Sequence, residues 1–345
     1  MTRVAILGAG DMGTAIVTPL QGRHDVRLWG TVHDAAIITA LQSGEPHPRL
    51  GVTIDSSVSV FQPQDLADSL AGAEIVVLAV SSHGVSTVAG EIAPFLATAE
   101  AIVILSKGLE RASAGMSVTR LSEAVAAHTS VPVVAVGGPG IAREVAFGIP
   151  TAAVFGSTSR NALELTQQVF STPEYLIQIT EDIAGVELAA ALKNAFAMSF
   201  GMVDGIEKAS GQPYANLRAA LFPQAMAELM DLVVSLGGRV ETVYGLAGLG
   251  DLQVTAAAGR NRLLGERIGA GATAAMAVRD LAAAGITTEG FAVTELGFQL
   301  ARQLCDGSDA ALRQRFPLLA GLERIANAEA PPVETLWQSV RAGER

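Results

Sequence analysis

Lys107, Lys193 and Lys208 are the only lysines in this chain of 345 residues, so where they fall carries information. Hydride reduction of a carbonyl leaves an alkoxide that needs a proton, and a lysine whose pKa is lowered among other cations can give it. Lys193 lies in Glu187-Leu188-Ala189-Ala190-Ala191-Leu192-Lys193-Asn194-Ala195-Phe196-Ala197-Met198, where burying an ammonium would be costly without a purpose. Lys107, in Leu105-Ser106-Lys107-Gly108-Leu109, falls just past the carboxyl end of an expected parallel strand, where doubly wound folds hold ligands. A solvated loop lysine is the competing reading. In Gly245-Leu246-Ala247-Gly248-Leu249-Gly250-Asp251, glycines allow close backbone approach and Asp251 is an acceptor or a lysine partner. Gly259-Arg260-Asn261-Arg262 then supplies a planar guanidinium fork suited to phosphate. By itself this stretch reads first as a charged helix start behind a flexible loop.

A second constellation opens the chain. In Val4-Ala5-Ile6-Leu7-Gly8-Ala9-Gly10-Asp11-Met12-Gly13-Thr14-Ala15-Ile16, an apolar strand, three spaced glycines and a helix follow in the order a dinucleotide site requires. Gly8 permits the tight turn, Gly10 lets the backbone approach a pyrophosphate, and Gly13 lets the helix pack on the strand with its N-terminus toward the anion. A strand-to-helix turn whose glycines only relieve strain is the bland reading. Asp11 reads as a structural cap with its side chain turned away. The second strand ends Val26-Arg27-Leu28-Trp29-Gly30-Thr31-Val32-His33 without an acidic residue to grip a ribose 2′-hydroxyl, so NADP or dual use is favoured over strict NAD use. Arg27 is a candidate for a 2′-phosphate, or else lies on the solvent face of its strand.

The elements that must position these groups change character along the chain. Up to about residue 180, short Val/Ile-rich runs alternate with helical stretches, as in a parallel sheet covered on both faces. Strands are expected at Arg3 to Leu7, Val26 to Trp29, Ile75 to Ala79, Ala101 to Leu105, Val131 to Val136 and Ala152 to Phe155. Helices are expected to begin at Met12, Val32, Val85, Met116 and Arg160. The fold class is therefore α/β: an N-terminal Rossmann-type doubly wound sheet over residues 1–180, followed by an all-α domain over residues 181–345. Glu181 and Asp182 suit the positive end of that domain's first helix, and Pro331-Pro332 break the chain before a last short helix.

The formal charge of −11, from 34 acidic and 23 basic residues, works against unspecific attraction to nucleic acid or anionic lipid. A phosphorylated ligand must therefore meet a local basic pocket. One cysteine, Cys305, cannot form an intramolecular disulfide, and the five histidines show no metal-ligand spacing. No secretory pattern opens the chain, and apolar runs such as Ile75 to Val80 are far shorter than the roughly 20 residues a bilayer requires. A cytoplasmic protein without metal, nucleic-acid partner or stable membrane insertion is expected. The apolar helical half is compatible with a homodimer.

Together these motifs resemble the soluble NAD(P)-dependent glycerol-3-phosphate dehydrogenase family. The resemblance runs in order through Gly8-Ala9-Gly10-Asp11-Met12-Gly13, Ser106-Lys107-Gly108-Leu109, Gly138-Pro139-Gly140-Ile141-Ala142-Arg143-Glu144-Val145-Ala146, Leu192-Lys193-Asn194, Gly248-Leu249-Gly250-Asp251 and Gly259-Arg260-Asn261-Arg262. It implies that Lys193 polarises the substrate carbonyl and exchanges its proton, with Lys107, Asp251 and Thr255 completing the catalytic pocket. It also implies that Arg260 and Asn261 hold the substrate phosphate, with Gly138 and Asn194 among the substrate contacts. The cofactor set it implies is Gly8, Gly10, Asp11, Met12, Gly13, Thr31, Lys107, Ala142, Arg260 and Glu289. The implied reaction is reversible reduction of dihydroxyacetone phosphate to sn-glycerol 3-phosphate, a phospholipid precursor.

Some positions depart from the family's bacterial pattern. Gly140 stands where a serine often follows the proline, Asp11-Met12 replaces a polar-aromatic pair, and Gly259 replaces a serine. Two rival readings remain at the level of sequence. One is a ketopantoate-reductase-type or other keto-acid dehydrogenase of the same two-domain class, against which the Arg260-Asn261 pair speaks. The other is a non-catalytic dinucleotide-binding sensor on the same fold.

Overall fold

The structure is a computed structural model that describes residues 1–111, 118–286, 290–328 and 330–343. The chain forms two compact units, one comprising Met1–Ala112 and Thr119–Glu187 and the other including Leu188–Arg345.

The first unit is built on β1 (Arg3–Leu7), β2 (Asp25–Trp29), β3 (Ser59–Phe61), β4 (Ile75–Leu78), β5 (Ala101–Ile104), β8 (Val133–Gly137), β9 (Thr151–Gly156) and β10 (Tyr175–Thr180), with β6 (Leu109–Arg111) and β7 (Val118–Arg120) as a separate two-stranded sheet. The strand order is β10-β9-β8-β5-β4-β1-β2-β3. Every residue of β4 and β5 is buried, so both faces of these strands are covered, which is why they read as unbroken apolar runs. The order reverses between β1 and β4, so the carboxyl ends of these two strands form the switch point where doubly wound sheets hold ligands.

The sheet departs from the expected parallel arrangement at its β9-β10 end. β9 runs antiparallel to β8, and β10 runs parallel to β9. A parallel return needs a covering crossover. Between β8 and β9 the chain makes only the short helix Ala142–Ala146, whereas the full helix Arg160–Phe170 links β9 to β10. β3, β10 and the β6-β7 ribbon were not expected from the sequence, and the helix expected from Met116 begins outside the described residues. The helix nearest that point is Leu121–Ala126. Asp182 caps the next helix as its position suggests, its Oδ1 accepting from the Gly185 amide at 2.9 Å.

From Leu188 onward, the regular elements among the second unit's described residues are all helices. Its centre is the Ile183–Ser210 helix, most of whose length belongs to this unit and which is apolar on all sides; Leu188 to Leu192, Ala195 to Met198 and Met202 are all nearly inaccessible. This corrects one expectation: the helix, at 28 residues, is long and apolar enough to span a bilayer by length and composition, yet 89% of its most apolar window is buried inside the protein. A helix apolar all round is a core helix where other elements cover it. Glu228, on the Ala215–Ser235 helix, ties the Pro317–Ala326 helix in place by accepting from the Leu318 and Leu319 amides at 2.6 and 2.9 Å.

Candidate active site

The glycine turn is made of backbone. Gly8 has φ +115°, the left-handed region that only glycine enters without strain. A Cβ there would strike the Ala79 carbonyl at the end of β4, and a Cβ on Gly13 would strike the Gly8 carbonyl. At Gly10 no atom lies within 4 Å of a Cβ position. That open space, beside the amides of the first helical turn, is the cradle a pyrophosphate requires.

The helix that follows, Asp11–Ala15, is short. Pro19 has no N–H to give the Ala15 carbonyl, and the chain continues in tight turns such as Val17 N to Thr14 O at 3.2 Å.

Three residues that the sequence did not nominate brace this turn. The buried His47 ring accepts from the Arg49 and Leu50 amides at Nδ1, both at 3.2 Å, which assigns the proton to Nε2, 3.2 Å from the Ala9 carbonyl. Burial holds the His47 pKa below the usual histidine value. Asp34 Oδ2 accepts from Thr31 N at 2.9 Å, Thr31 Oγ1 at 2.8 Å and, more weakly, the Ala9 amide at 3.4 Å. Arg49 donates from Nε to Asp11 Oδ1 at 2.7 Å. Asp11 is thus an ion-pair partner and not the expected helix cap; no side chain caps that helix. Arg27 is committed elsewhere, its Nη1 donating to the Asp68 and Ala71 carbonyls at 2.8 and 3.1 Å. The distance along the chain, and the absence of any periodicity in the loop containing His47 and Arg49, hid these contacts.

Lys107 follows β5, and its Nζ donates to the Gly138 carbonyl at 2.6 Å. Gly138 has φ +105°. Gly140 lies against Met12, whose Cε would be 3.1 Å from a Cβ at 140. Two of the departures from the family pattern are therefore neighbours, the methionine lying where a larger residue 140 would project. Ala142 opens the Ala142–Ala146 helix, while Glu289 lies outside the described residues.

In the second unit, side chains far apart in sequence converge. Lys193 Nζ donates to Asp251 Oδ1 at 2.7 Å and to Thr255 Oγ1 at 2.5 Å, and the three residues are nearly inaccessible at 4%, 1% and 8%. Asp251 and Thr255 share one face of the Asp251–Ala258 helix because they are four residues apart. That helix is preceded by a wide turn, Leu246–Gly250, closed by Gly250 N to Gly245 O at 3.2 Å. Gly248 is required there, since a Cβ would strike the Val243 carbonyl. Wide turns of this kind recur at functional sites because they redirect the following side chains.

Gly259 links this helix to Arg260–Gly269, and a Cβ on it would strike the Thr255 carbonyl. The glycine departure at 259 fits a chain that turns directly over Thr255. Asn194 and Asn261 are buried, while Arg260 is exposed. The sequence-nominated groups of this unit thus form a buried Lys193-Asp251-Thr255 cluster adjoining, through Gly259, the helix that opens with Arg260 and Asn261. Among the described residues no group of His, Cys, Asp and Glu is arranged to hold a metal.

Residues 3–163 match the family model for the NAD-dependent glycerol-3-phosphate dehydrogenase N-terminus, and residues 182–336 match that for its C-terminus. The NADP(+)-dependent glycerol-3-phosphate dehydrogenase of Archaeoglobus fulgidus is 36% identical over 308 residues, 87% of this chain and 90% of its own length. The glycerol-3-phosphate dehydrogenase [NAD(P)+] of Moorella thermoacetica is 37% identical over 305 residues, 87% of this chain and 86% of its own. A crystal structure of glycerol-3-phosphate dehydrogenase from Coxiella burnetii superposes with a TM-score of 0.82 at 28% identity, covering 100% of this chain and 99% of that one. With both halves matched in order and relatives of this identity along most of its length, the chain belongs to the NAD-dependent glycerol-3-phosphate dehydrogenase family.

Proposed function

We propose that this chain catalyses the reversible reduction of dihydroxyacetone phosphate to sn-glycerol 3-phosphate with NADPH or NADH. The observation that carries this reading is the buried Lys193-Asp251-Thr255 cluster, next along the chain to Arg260 and Asn261. When bound, the nicotinamide supplies or takes the hydride. Lys193 holds the carbonyl oxygen by a charge-assisted hydrogen bond and gives or removes its proton. Asp251 balances and orients the ammonium, and Thr255 fixes its direction. Arg260 and Asn261 grip the phosphate, whose binding energy can be spent on holding the reacting carbon in place. Asn194, Lys107 and Gly138 are further substrate contacts in this reading.

The open space at Gly10, the left-handed Gly8 and the close Gly13 packing fit a dinucleotide pyrophosphate, with Asp11, Met12, Thr31, Lys107, Ala142, Arg260 and Glu289 as the remaining cofactor contacts. Asp34, the acidic residue nearest the end of β2, already accepts from Thr31 and Ala9. Arg49 brings a cation beside the turn. Both features favour NADP or dual use over strict NAD specificity. We further assign the enzyme to the cytoplasm, to phospholipid precursor supply and to a homodimer, without nucleic-acid or membrane partners.

The test follows NADPH and NADH oxidation with dihydroxyacetone phosphate, unphosphorylated dihydroxyacetone and ketopantoate. The phosphorylated ketone is expected to turn over far faster than the other two. Failure to turn over dihydroxyacetone phosphate, or preference for ketopantoate, would contradict the proposal.

A further inference from the structure

Beyond the groups assigned above, two helices of the second unit meet through glycines on both sides. On the Ile183–Ser210 helix, a Cβ at Gly201 would strike the Arg262 carbonyl and one at Gly205 the Glu266 carbonyl. On the Arg260–Gly269 helix, a Cβ at Gly265 would strike the Met198 carbonyl and one at Gly269 the Met202 carbonyl. Both pairs are spaced four apart, so each lies on one face of its helix. Most helix pairs pack with axes about 8–10 Å apart, held off by side chains. Here backbone rests on backbone at four points, which fixes both the sliding and the rotation of one helix on the other.

A charged link crosses the same contact. Arg262 Nε lies 2.6 Å from Asp204 Oδ2. Its N–H is not aimed at that oxygen, which accepts no aligned hydrogen bond, so the link is a close ion pair. Asp204 is 8% exposed, and its other oxygen accepts from Arg218 Nη2. Arg218 is itself anchored, with Nη1 donating to the Phe200 carbonyl at 3.3 Å and Glu207 3.9 Å from Nη2. A buried carboxylate between two guanidiniums gains little stability over an apolar contact of equal volume. What it does supply is a fixed register.

We infer that Asp204, Arg262 and Arg218, acting across the Gly201/Gly205 and Gly265/Gly269 contact, are positioning residues that hold Arg260 and Asn261 in place relative to Lys193. Lys193 lies about two turns before Gly201 on one helix. Arg260 and Asn261 directly precede Arg262 on the other. The crossing therefore sets the spacing between the proton-exchanging group and the phosphate grip. The inference rests on the phosphate role proposed for Arg260 and Asn261.

The test is the ratio of kcat/KM for dihydroxyacetone phosphate to that for unphosphorylated dihydroxyacetone, measured for Arg262→Gln, Asp204→Asn, their double variant, Gly201→Ala and Arg260→Ala. Each of the first four is expected to lower the ratio at least about tenfold, within the range of residues coupled through one network, and the double variant to be no worse than the weaker single one. Arg262→Lys should keep the ratio within about threefold of the parent, because a point charge can replace a contact that uses neither fork nor alignment. An unchanged ratio in Arg262→Gln, or a parallel fall for both ketones, overturns the inference; Arg262 is partly exposed, so this variant keeps the test open if Asp204→Asn does not fold. If Arg260→Ala leaves the ratio unchanged, the phosphate reading fails and the inference fails with it. A collapsed ratio in Arg260→Ala alone overturns only the positioning role.

Discussion

The glycine turn of the first unit and the lysine cluster of the second are built on opposite principles. Around Gly8, Gly10 and Gly13 the working surface is backbone: an open space, a left-handed residue, and a carbonyl held from both sides by His47 and Thr14. At Lys193 it is side chain, an ammonium held by a carboxylate and a hydroxyl from another helix, all nearly inaccessible to solvent. A backbone site is written in consecutive residues, while a side-chain site is assembled by the fold. In the proposed function the first holds the dinucleotide and the second exchanges the substrate's proton.

The largest effect expected from breaking this contrast is in the cluster. Asp251→Asn should lower kcat by about 10²- to 10⁴-fold, the range of a general acid-base contribution. It should also cost about 3–5 kcal/mol of stability, since it leaves the Lys193 ammonium buried without its carboxylate. Steady-state rates and urea unfolding together check both. Arg260→Ala should raise the KM for dihydroxyacetone phosphate about 10- to 100-fold, the equivalent of one or two hydrogen bonds to a charged group. An unchanged KM removes it from the phosphate site. On the backbone side, Gly13→Ala forces a Cβ toward the Gly8 carbonyl and should weaken NADPH binding at least about tenfold, or about 1.4 kcal/mol, by fluorescence titration.

The smallest effect sharpens the comparison where the first unit reaches into the long helix. Burial pushes the Glu187 carboxyl up to about 7, despite its hydrogen bonds from Ser122 and the nearby Arg120. A carboxyl with a raised folded pKa favours the folded state below its unfolded value and loses that contribution as pH rises through the folded value. Stability should therefore fall as pH rises from 4.5 through about 7. Glu187→Gln, which keeps an acceptor for Ser122, should flatten that fall in thermal melts. A melting temperature with the same pH dependence in both proteins would show that Glu187 does not titrate in this window.

What the sequence made legible follows the same division. The runs that became β1, β4, β5 and β8 announced themselves because burial on both faces leaves no polar residues to interrupt them. Tyr175–Thr180 was less visible: as the outer strand it alternates buried Tyr175 and Ile177 with exposed Leu176 and Gln178. The reversed direction of β9 lies in the length of the preceding connection, which residue patterns do not reveal. Lys193 could be nominated because a lysine in an apolar helix is conspicuous, and the fold places it against Asp251 and Thr255. The brace of His47, Asp34 and Arg49 could not, since nothing in that loop carries a period. Met12 and Gly140 looked like separate departures from the family pattern until the fold brought them together.

The central claim, that the first unit supplies cofactor binding and the second supplies the proton, is tested most directly by Lys193→Met. The substitution keeps a long side chain in the helix and removes the exchangeable proton. NADPH affinity should stay within about threefold of the parent, while kcat with dihydroxyacetone phosphate falls at least about 10²-fold. Near-normal turnover in a folded Lys193→Met protein would contradict the account.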